Sequence, residues 1–234
     1  MRQVILDTET TGLDPRLGHR IIEVGCVEMI GRKLTGQRFH RYINPQREIE
    51  AGAAAVHGIT DEMLADKPEF AAIADELLAF IRDAELVIHN AAFDIGFLNA
   101  EFGLLGRESV DEICPSVIDT LKLARELHPG RKNSLDALCE RYAIDNSGRQ
   151  LHGALLDAEL LAEVYLAMTR GQESLVMDLE VAADVGGFSL ADRSPLRVLR
   201  ASDSELAEHQ RVLAEIDKQS KGKCIWLSEA PACD

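Results

Sequence analysis

The order of its apolar segments constrains the fold of this chain more than any other feature. Short runs rich in Val, Ile and Leu are typical of strands, and they lie at 4–6, 21–30, 39–43, 85–89 and 117–118. Apolar residues recur at helical spacing at 68–82, 93–102, 120–126, 134–142 and 154–169. Because strands come first and helices are interspersed later, we predict an α/β domain built on a mixed sheet.

The helical pattern stops at Gly171, which ends the last helix of that domain. The following residues, up to 201, lack sustained periodicity and contain a Gly-Gly pair and a proline, which predicts a flexible linker. Helical spacing returns at 202–219. We therefore predict a domain at 1–171, a linker at 172–201 and a C-terminal segment at 202–234.

The chain has 234 residues, with 40 acidic and 25 basic side chains and a formal net charge of −15. This acidity argues against a general nucleic-acid binder, which usually carries a basic surface. A hydrophobic fraction of 46% excludes a disordered chain. Five cysteines without a CxxC pair predict reduced thiols. Without a signal peptide or an apolar run of about 18 residues, we predict a cytoplasmic protein with no membrane contact.

Two carboxylates follow the first apolar run. Strand side chains alternate, so Asp7 and Glu9 project from one face, about 7 Å apart along the chain. Two such acids repel each other unless a cation lies between them, and hard cations such as Mg²⁺ take oxygen ligands. The competing interpretation is a strand end with two solvated acids.

Three further residues stand where the chain leads into a helix. Asp94 follows an apolar strand and a short turn, a place where acids also serve as helix caps. His152 and Asp157 bracket the start of the last domain helix. Asp157 has apolar neighbours in sequence, so a buried carboxylate there needs a metal or a partner. Taken alone, His152 reads as a surface histidine.

In combination these residues form a far more specific pattern. The order Asp-x-Glu, then Asp in a strand-to-helix turn, then His-x4-Asp resembles the three motifs of the DEDDh family of 3′–5′ exonucleases. Similarity to its proofreading members, subunits of bacterial DNA polymerase III, extends to four stretches: LDTETTG, VHGI, HNAAFDIGF and NSLDALC. The resemblance covers 1–171, and it implies a ribonuclease H-like mixed sheet flanked by helices.

The resemblance further implies that Asp7, Glu9, Asp94 and Asp157 bind two divalent metal ions. Two ions about 3.5–4 Å apart can activate a water and stabilise both the transition state and the leaving oxyanion of a phosphodiester. Oxygen ligands without thiolates favour Mg²⁺ or Mn²⁺ over zinc. His152 is implied as the general base, a role that suits the ordinary histidine pKa of about 6.5.

The resemblance also places the 3′-terminal nucleotide of single-stranded or frayed DNA against residues 8–10. The residues implied to contact this substrate are Asp7, Thr8, Glu9, Thr10, His57 and Asp157. A packed histidine is the competing interpretation for His57, and we predict that residues 50–55 before it form a loop. Phe93 is predicted to be a core residue, with base stacking as its alternative. Arg131 and Lys132 are either phosphate contacts or part of a solvated loop.

The C-terminal part resembles two partner-binding segments. Gln172, Leu175 and Met177 are similar to a peptide that inserts a glutamine and two apolar side chains into pockets of the sliding clamp. The helix at 202–219 and Trp226 are similar to the segment that docks on the catalytic (alpha) subunit of DNA polymerase III, for which an apolar anchor is suited. The alternative is a helix folded back on the domain. Binding of a small theta-like subunit stays open.

We therefore predict a proofreading 3′–5′ exonuclease subunit of the bacterial replicase, which releases mispaired 3′-terminal nucleotides as nucleoside monophosphates. The first alternative is a free-standing exonuclease that trims RNA ends, against which the tail argues. The second is a non-catalytic interaction module, against which the complete set of acids and His152 argue. The net charge fits an enzyme that binds strands weakly by itself and receives its primer end from a tethered polymerase.

Overall fold

The structure, a computed structural model, describes residues 1–149, 151–170 and 200–228. They belong to two compact units, the first holding the described residues up to 170 and the second those from 200. The strands of the first unit are β1 Arg2–Thr10, β2 Ile21–Ile30, β3 Lys33–Tyr42, β4 Glu85–Ile88 and β5 Ser116–Asp119. Its helices are α1 Ala51–His57, α2 Asp61–Leu64, α3 Phe70–Ile81, α4 Ala91–Leu104, α5 Val110–Ile113, α6 Thr120–Leu127, α7 Leu135–Tyr142 and α8 Ala154–Met168.

The five strands form one mixed sheet in the order β3-β2-β1-β4-β5. β1 pairs antiparallel with β2 and parallel with β4, so the central strand joins the antiparallel and the parallel halves of the sheet. β3 extends the antiparallel half and β5 the parallel half. The predicted α/β fold with a mixed sheet flanked by helices is confirmed.

Because its side chains alternate, β1 contributes residues to two hydrophobic cores, one on each face of the sheet. Val4 and Leu6 belong to the core that contains buried residues of α3 and α4. Ile5 belongs to the core that contains buried residues of α6, α7 and α8. Because strand side chains alternate, Asp7 and Glu9 share the face of Ile5, and Thr8 shares the face of Leu6.

The predicted loop before His57 is wrong, because residues 51–57 form the helix α1. This segment has no apolar stripe, since only His57 is buried, so periodicity could not reveal it. Its alanines favour a helix by intrinsic propensity. The short helices α2 and α5 were also not predicted, and β3 begins at Lys33, earlier than the apolar run suggested.

The second unit contains α9 Asp203–Gln219 and the short α10 Ile225–Ser228. Ser202 and Glu205 form a capping box at the start of α9, which supports the predicted helix at 202–219. Residues 171–199, which include most of the predicted linker, lie outside the described residues. In the parts of the chain that the structure describes, no helix is both long and apolar enough to span a bilayer.

Candidate active site

A cleft of about 730 Å³ brings together the side chains that the sequence singled out for chemistry. Its lining includes Asp7, Glu9, Asp94, His152 and Asp157, which come from three segments far apart in sequence. They come from the end of β1, the start of α4 and the start of α8. The sheet thus assembles in one place a set of groups that no single stretch of sequence could hold.

Side chains on the two faces of β1 contact different acids of this cleft. Asp7 and Glu9 lie on the face that packs against α8, which carries Asp157. On the other face, Thr8 holds Asp94, because its backbone N–H and its hydroxyl donate to Asp94 Oδ1 at 3.1 and 2.7 Å. Asp94 lies in the first turn of α4 and is buried, so these bonds fix the orientation of its carboxylate.

The start of α8 is held tightly against the sheet. Gly153 is the N-cap of α8, so Asp157 falls in the first turn and His152 lies just outside the helix. Gly25 of β2 permits this close packing, because a Cβ there would lie 2.2 Å from the backbone nitrogen of Leu155. His152 is therefore fixed at a close contact between helix and sheet, although its side chain is 42% exposed.

A buried acid in β2, which sequence reasoning missed, completes this anchor. Glu23 Oε2 accepts from the backbone N–H of Ala154 at 3.2 Å, and Glu23 Oε1 lies 2.7 Å from Nε2 of His40. Glu23 is also the β2 partner of Glu9 in the strand register. An acid inside an otherwise apolar strand was a signal in the sequence, since such a group is rarely buried without a partner.

Arg149 is a second residue of this site that sequence reasoning missed. Its Nε and Nη2 donate to the two carboxylate oxygens of Asp157 at 2.5 and 2.6 Å. Nη2 also lies 2.9 Å from Nδ1 of His152, and Nη1 donates to Asp136 at 2.5 Å. The partner that we predicted for a buried Asp157 is thus an arginine in this structure. A loop arginine gives no local signal for such a pairing.

Burial and mutual repulsion perturb the acids of β1 and α4. Burial raises the pKa of Asp7 well above its ordinary value, and the neighbouring carboxylates of Asp94, Glu9 and Asp157 raise it further. Burial, followed by repulsion from Asp157, raises the pKa of Glu9 to about 8. Burial likewise raises the pKa of Asp94 to about 7, although its bonds to Thr8 act in the opposite direction. These shifts are typical of functional sites.

The donor set fits hard divalent cations. Glu9, His152 and Asp157 each offer one ligand atom, and these atoms lie within 4.8 Å of one another. Asp7 and Asp94 add two more carboxylates in the same cleft. Oxygen ligands in excess over nitrogen, and no thiolate among the lining residues, suit Mg²⁺ or Mn²⁺. A divalent cation bound by these acids would lower their raised pKa values, because its positive charge favours the ionised carboxylates.

His57 is buried, and neither His57 nor Thr10 is among the residues that line the cleft. His57 ends α1, and its Nδ1 accepts from the backbone N–H of Ile59 at 3.0 Å, so Nε2 carries the hydrogen of the neutral ring. Within the described part of the chain, no hydrogen-bond partner is found for the buried Nε2. The hydroxyl of Thr10 itself donates to the carbonyl of Gly12 at 2.7 Å.

Basic and aromatic side chains are also part of the cleft lining. Of the two basic residues whose role the sequence left open, Arg131 lines the cleft and Lys132 does not. Arg125 of α6 also lines the cleft and was not predicted, because a basic residue on an amphipathic helix usually marks a solvated face. Phe93 is half-buried: it packs against the core as predicted and also lines the cleft.

The predicted partner-binding residues are divided between described and undescribed segments. Gln172, Leu175 and Met177 lie outside the described residues. Trp226 is described in α10 and is 73% exposed. On α9, Leu206, Val212 and Ile216 are exposed as well, so the second unit carries apolar side chains that its own fold does not cover.

Comparison with known proteins agrees with this geometry. Residues 4–165 match the family model described as Exonuclease. The DNA polymerase III subunit epsilon of Salmonella typhimurium is 53% identical over 237 aligned positions, which cover 96% of this chain and 97% of the relative. The subunit of the same name from Escherichia coli is 52% identical with the same coverage.

Two solved structures share the fold. Exonuclease X in complex with 5′ overhanging duplex DNA aligns with a TM-score of 0.57 and 31% identity, covering 73% of this chain and 92% of that one. The nuclease domain of 3′hExo, a DEDDh family member bound to rAMP, aligns with a TM-score of 0.63, covering 73% of this chain and 92% of that domain. At 19% identity, this second likeness concerns the fold alone.

Proposed function

The chain belongs to the exonuclease family and, within it, to the epsilon subunits of DNA polymerase III, and from this premise we propose how its residues carry out 3′–5′ hydrolysis. Asp7, Glu9, Asp94 and Asp157 hold two divalent ions, Mg²⁺ or Mn²⁺, and His152 is the general base. The observation that carries this assignment is the convergence of all five side chains on one cleft. When bound, the two ions activate water and stabilise charge on the phosphate and on the leaving oxygen.

The chain's own residues position and activate the reactants. His152 is half-exposed at the cleft, so its ring can take a proton from the attacking water. Thr8 contributes by holding Asp94 in place, since its hydroxyl is already engaged there. The backbone N–H of Thr8 is engaged with Asp94 as well, so Thr8 acts on the substrate by positioning this acid. Glu23 and Gly25 hold the start of α8 at the sheet and so fix His152 and Asp157.

We assign the terminal nucleotide to the space between His57 and the basic wall of the cleft. Nε2 of His57 is the ring atom with a hydrogen to donate, and we assign its bond to the sugar or the 3′ hydroxyl of a nucleotide that reaches this buried atom. Arg131 and Arg125 can bind phosphates on the other side. Phe93, at the cleft surface, can stack on a base. A frayed or mispaired end enters this cleft more readily than a paired end, because it costs less to unpair.

The direct test is digestion of 5′-labelled DNA primers with matched or mismatched 3′ ends, beside an RNA strand of the same sequence. We expect nucleoside monophosphates to be released from the 3′ end, faster from the mismatched primer, and only when Mg²⁺ or Mn²⁺ is present. Faster turnover of RNA than of single-stranded DNA would contradict a proofreading role. Release of nucleotides in the presence of excess chelator would contradict the metal assignment.

The acid pKa values predict how pH affects the metal-free protein. In the folded chain the pKa of Glu9 is about 8 and that of Asp94 about 7, both far above their ordinary values. The folded state therefore binds protons more tightly than the unfolded state, and stability falls as the pH rises towards 8. Between about pH 6 and about pH 9 we expect the Tm without metal to fall by about 5 °C.

This pH effect has a matched control and a clear contradiction. Saturating Mg²⁺ should remove most of the fall in Tm, because the cation takes over the charge that the proton neutralises at lower pH. Glu9→Gln, which cannot titrate, should show a smaller fall than the wild type without metal. A Tm that rises with pH in the metal-free wild type, measured by calorimetry, would contradict the raised carboxyl pKa values.

The partner assignments extend the same proposal to the C-terminal part. We place the boundary of the catalytic domain at 171, a linker at 172–201 and a polymerase-binding segment at 202–234. Gln172, Leu175 and Met177 bind the sliding clamp, and Trp226 binds the catalytic subunit of DNA polymerase III, in the bacterial cytoplasm. The exposed apolar side chains of α9 and α10 support a docking role for this segment.

Trp226→Ala should weaken binding to the purified polymerase III catalytic subunit by at least about tenfold, because a large exposed aromatic side chain is the typical anchor of such an interface. Titration of labelled protein with the catalytic subunit measures this change. Leu104→Ala is the control, since it removes an exposed apolar side chain from α4. Equal loss in both variants, or no loss in the Trp226 variant, would remove Trp226 from the interface. Nuclease activity should be the same in both variants and in the wild type.

A further inference from the structure

Arg149 lies in a loop, yet its side chain contacts two of the residues to which we assign chemistry, Asp157 and His152. Its side chain is only 5% exposed, and the Asp157 side chain that it grips is 4% exposed. Both oxygens of Asp157 accept hydrogen bonds from this one guanidinium, at 2.5 and 2.6 Å. Such bidentate arginine–carboxylate pairs are among the strongest side-chain interactions. Both carboxylate oxygens of the proposed metal ligand Asp157 are therefore engaged by Arg149.

The same guanidinium also engages the proposed base. Nη2 of Arg149 lies 2.9 Å from Nδ1 of His152. Arginine has only donors, so Nδ1 must be the acceptor of this bond, and the ring proton is on Nε2. The one lone pair with which a neutral His152 ring could take a proton is thus bound to Arg149. In this arrangement neither Asp157 nor His152 is free for the role that we propose.

The negative charge of the cleft explains why an arginine lies beside Asp157. The proposed metal ligands bring four carboxylates into one cleft, and the guanidinium of Arg149 lies directly against one of them, Asp157. Among the described residues, the arginine that bonds directly to these acids is Arg149. A buried cation beside Asp157 removes part of the cost of gathering the acids without a metal ion.

Arg149 also binds a second carboxylate, that of Asp136, and this bond does not depend on its contact with Asp157. Its Nη1 donates to Asp136 at 2.5 Å, and the Asp136 side chain is 57% exposed. Asp136 lies in the first turn of α7 and is not one of the proposed metal ligands. Rotation of the outer guanidinium could release Asp157 and His152 while the bond to Asp136 persists.

We propose that Arg149 is an internal cation that closes the site in the metal-free protein, and that a divalent ion displaces it from Asp157 and His152. Loading of metal and release of the base are then one event, because the same guanidinium blocks both groups. This inference rests on the proposed metal site. It predicts that Arg149 and the metal compete, which a purely structural salt bridge would not require.

The test is the affinity of the full-length protein for Mn²⁺, measured by titration with detection of free Mn²⁺ by electron paramagnetic resonance. We expect Arg149→Gln to bind Mn²⁺ about tenfold more tightly than the wild type, because the competing cation is gone. The metal-free Tm of this variant should be lower, and the rise in Tm on adding Mn²⁺ should be larger. Unchanged or weaker binding in Arg149→Gln would overturn the proposal.

Arg20→Gln is a matched control. Arg20 also forms a bidentate pair with a buried acid, Glu101, with both distances at 2.7 Å, but this pair is not part of the cleft. Its loss should destabilise the fold without changing the affinity for Mn²⁺. A tenfold gain in Arg20→Gln as well would show that looser packing, and not competition, improves binding, and the proposal would fail.

A measurement on the unmutated chain covers the case in which Arg149→Gln does not fold. Titration of the wild type with Mg²⁺, followed by the arginine Nε–H resonances in NMR, should shift the Arg149 signal as its bond to Asp157 breaks. A signal unmoved at saturating Mg²⁺ overturns the competition. Asp157→Asn separates this failure from failure of the proposed function: equal Mn²⁺ binding by wild type and Asp157→Asn would instead reject the metal site itself.

Discussion

Asp7→Asn is expected to lower the rate of 3′-terminal nucleotide release by about 10⁴-fold, without lowering the stability of the metal-free protein. The substitution keeps the size and shape of the side chain and removes only its charge. Burial raises the pKa of Asp7, and repulsion from Asp94 and Glu9 raises it further, so Asp7 interacts with both of these acids. It is therefore the acid whose loss disturbs a shared cation site most.

Most substitutions of buried residues lower the stability of a protein, whereas Asp7→Asn should keep or raise that of the metal-free protein. The raised pKa of Asp7 means that burial and the neighbouring acids disfavour its charged form. A neutral amide does not bear that cost, so at about pH 8 the metal-free Asp7→Asn variant should melt at or above the wild-type temperature. Stabilisation by Mg²⁺, in contrast, should be greatly reduced.

Primer digestion at saturating Mg²⁺ measures the loss of activity. Calorimetry with and without Mg²⁺ measures the Tm of the metal-free protein and its stabilisation by Mg²⁺. Asp75→Asn is the control: it removes an exposed acid from α3, outside the cleft, and should leave rate and metal response unchanged. Full activity of Asp7→Asn at saturating Mg²⁺ would reject the two-metal assignment. Low activity with a lowered metal-free Tm would point to misfolding instead.

The elements that pack the sheet were predictable because their apolar periodicity is local. β2 spans the apolar run that suggested it, and α8 begins at the predicted Ala154. α1 was not predictable in this way, because a run of small residues on the surface carries no apolar stripe. Alanine-rich segments of this kind are decided by propensity and by the capping glycine, here Gly58, which adopts the left-handed conformation.

The acids of the site were accessible from the sequence for a different reason. Asp7 and Glu9 follow an apolar run at the end of a strand, and Asp157 has apolar neighbours in its helix, but it was their order along the chain, which resembles the motifs of a known family, that singled them out. Arg149 and Arg125 belong to no such motif, and an arginine in a loop or on a helix surface is ordinary. Their roles follow from tertiary contacts that no local pattern encodes, and for that reason only the structure revealed them.

His152→Gln is expected to lower kcat by about 10² to 10⁴-fold, the usual range for loss of a general base, while the affinity for Mn²⁺ changes little. The four proposed carboxylate ligands remain in this variant, and they supply most of the charge that attracts a cation. Glutamine can still accept the bond from Arg149, so the loop before α8 should keep its position.

Measuring kcat and the affinity for Mn²⁺ in the same variant shows whether His152 acts as a base or as a metal ligand. If His152 acts chiefly as a base, His152→Gln loses rate at every Mn²⁺ concentration. If His152 is chiefly a metal ligand, excess Mn²⁺ restores the rate, and the general-base assignment is wrong. His209→Gln, an exposed histidine on α9, is the control and should match the wild type in both measurements. The half-exposed position of His152, beside a buried Asp157, favours the first outcome, because a base must reach the water that it deprotonates.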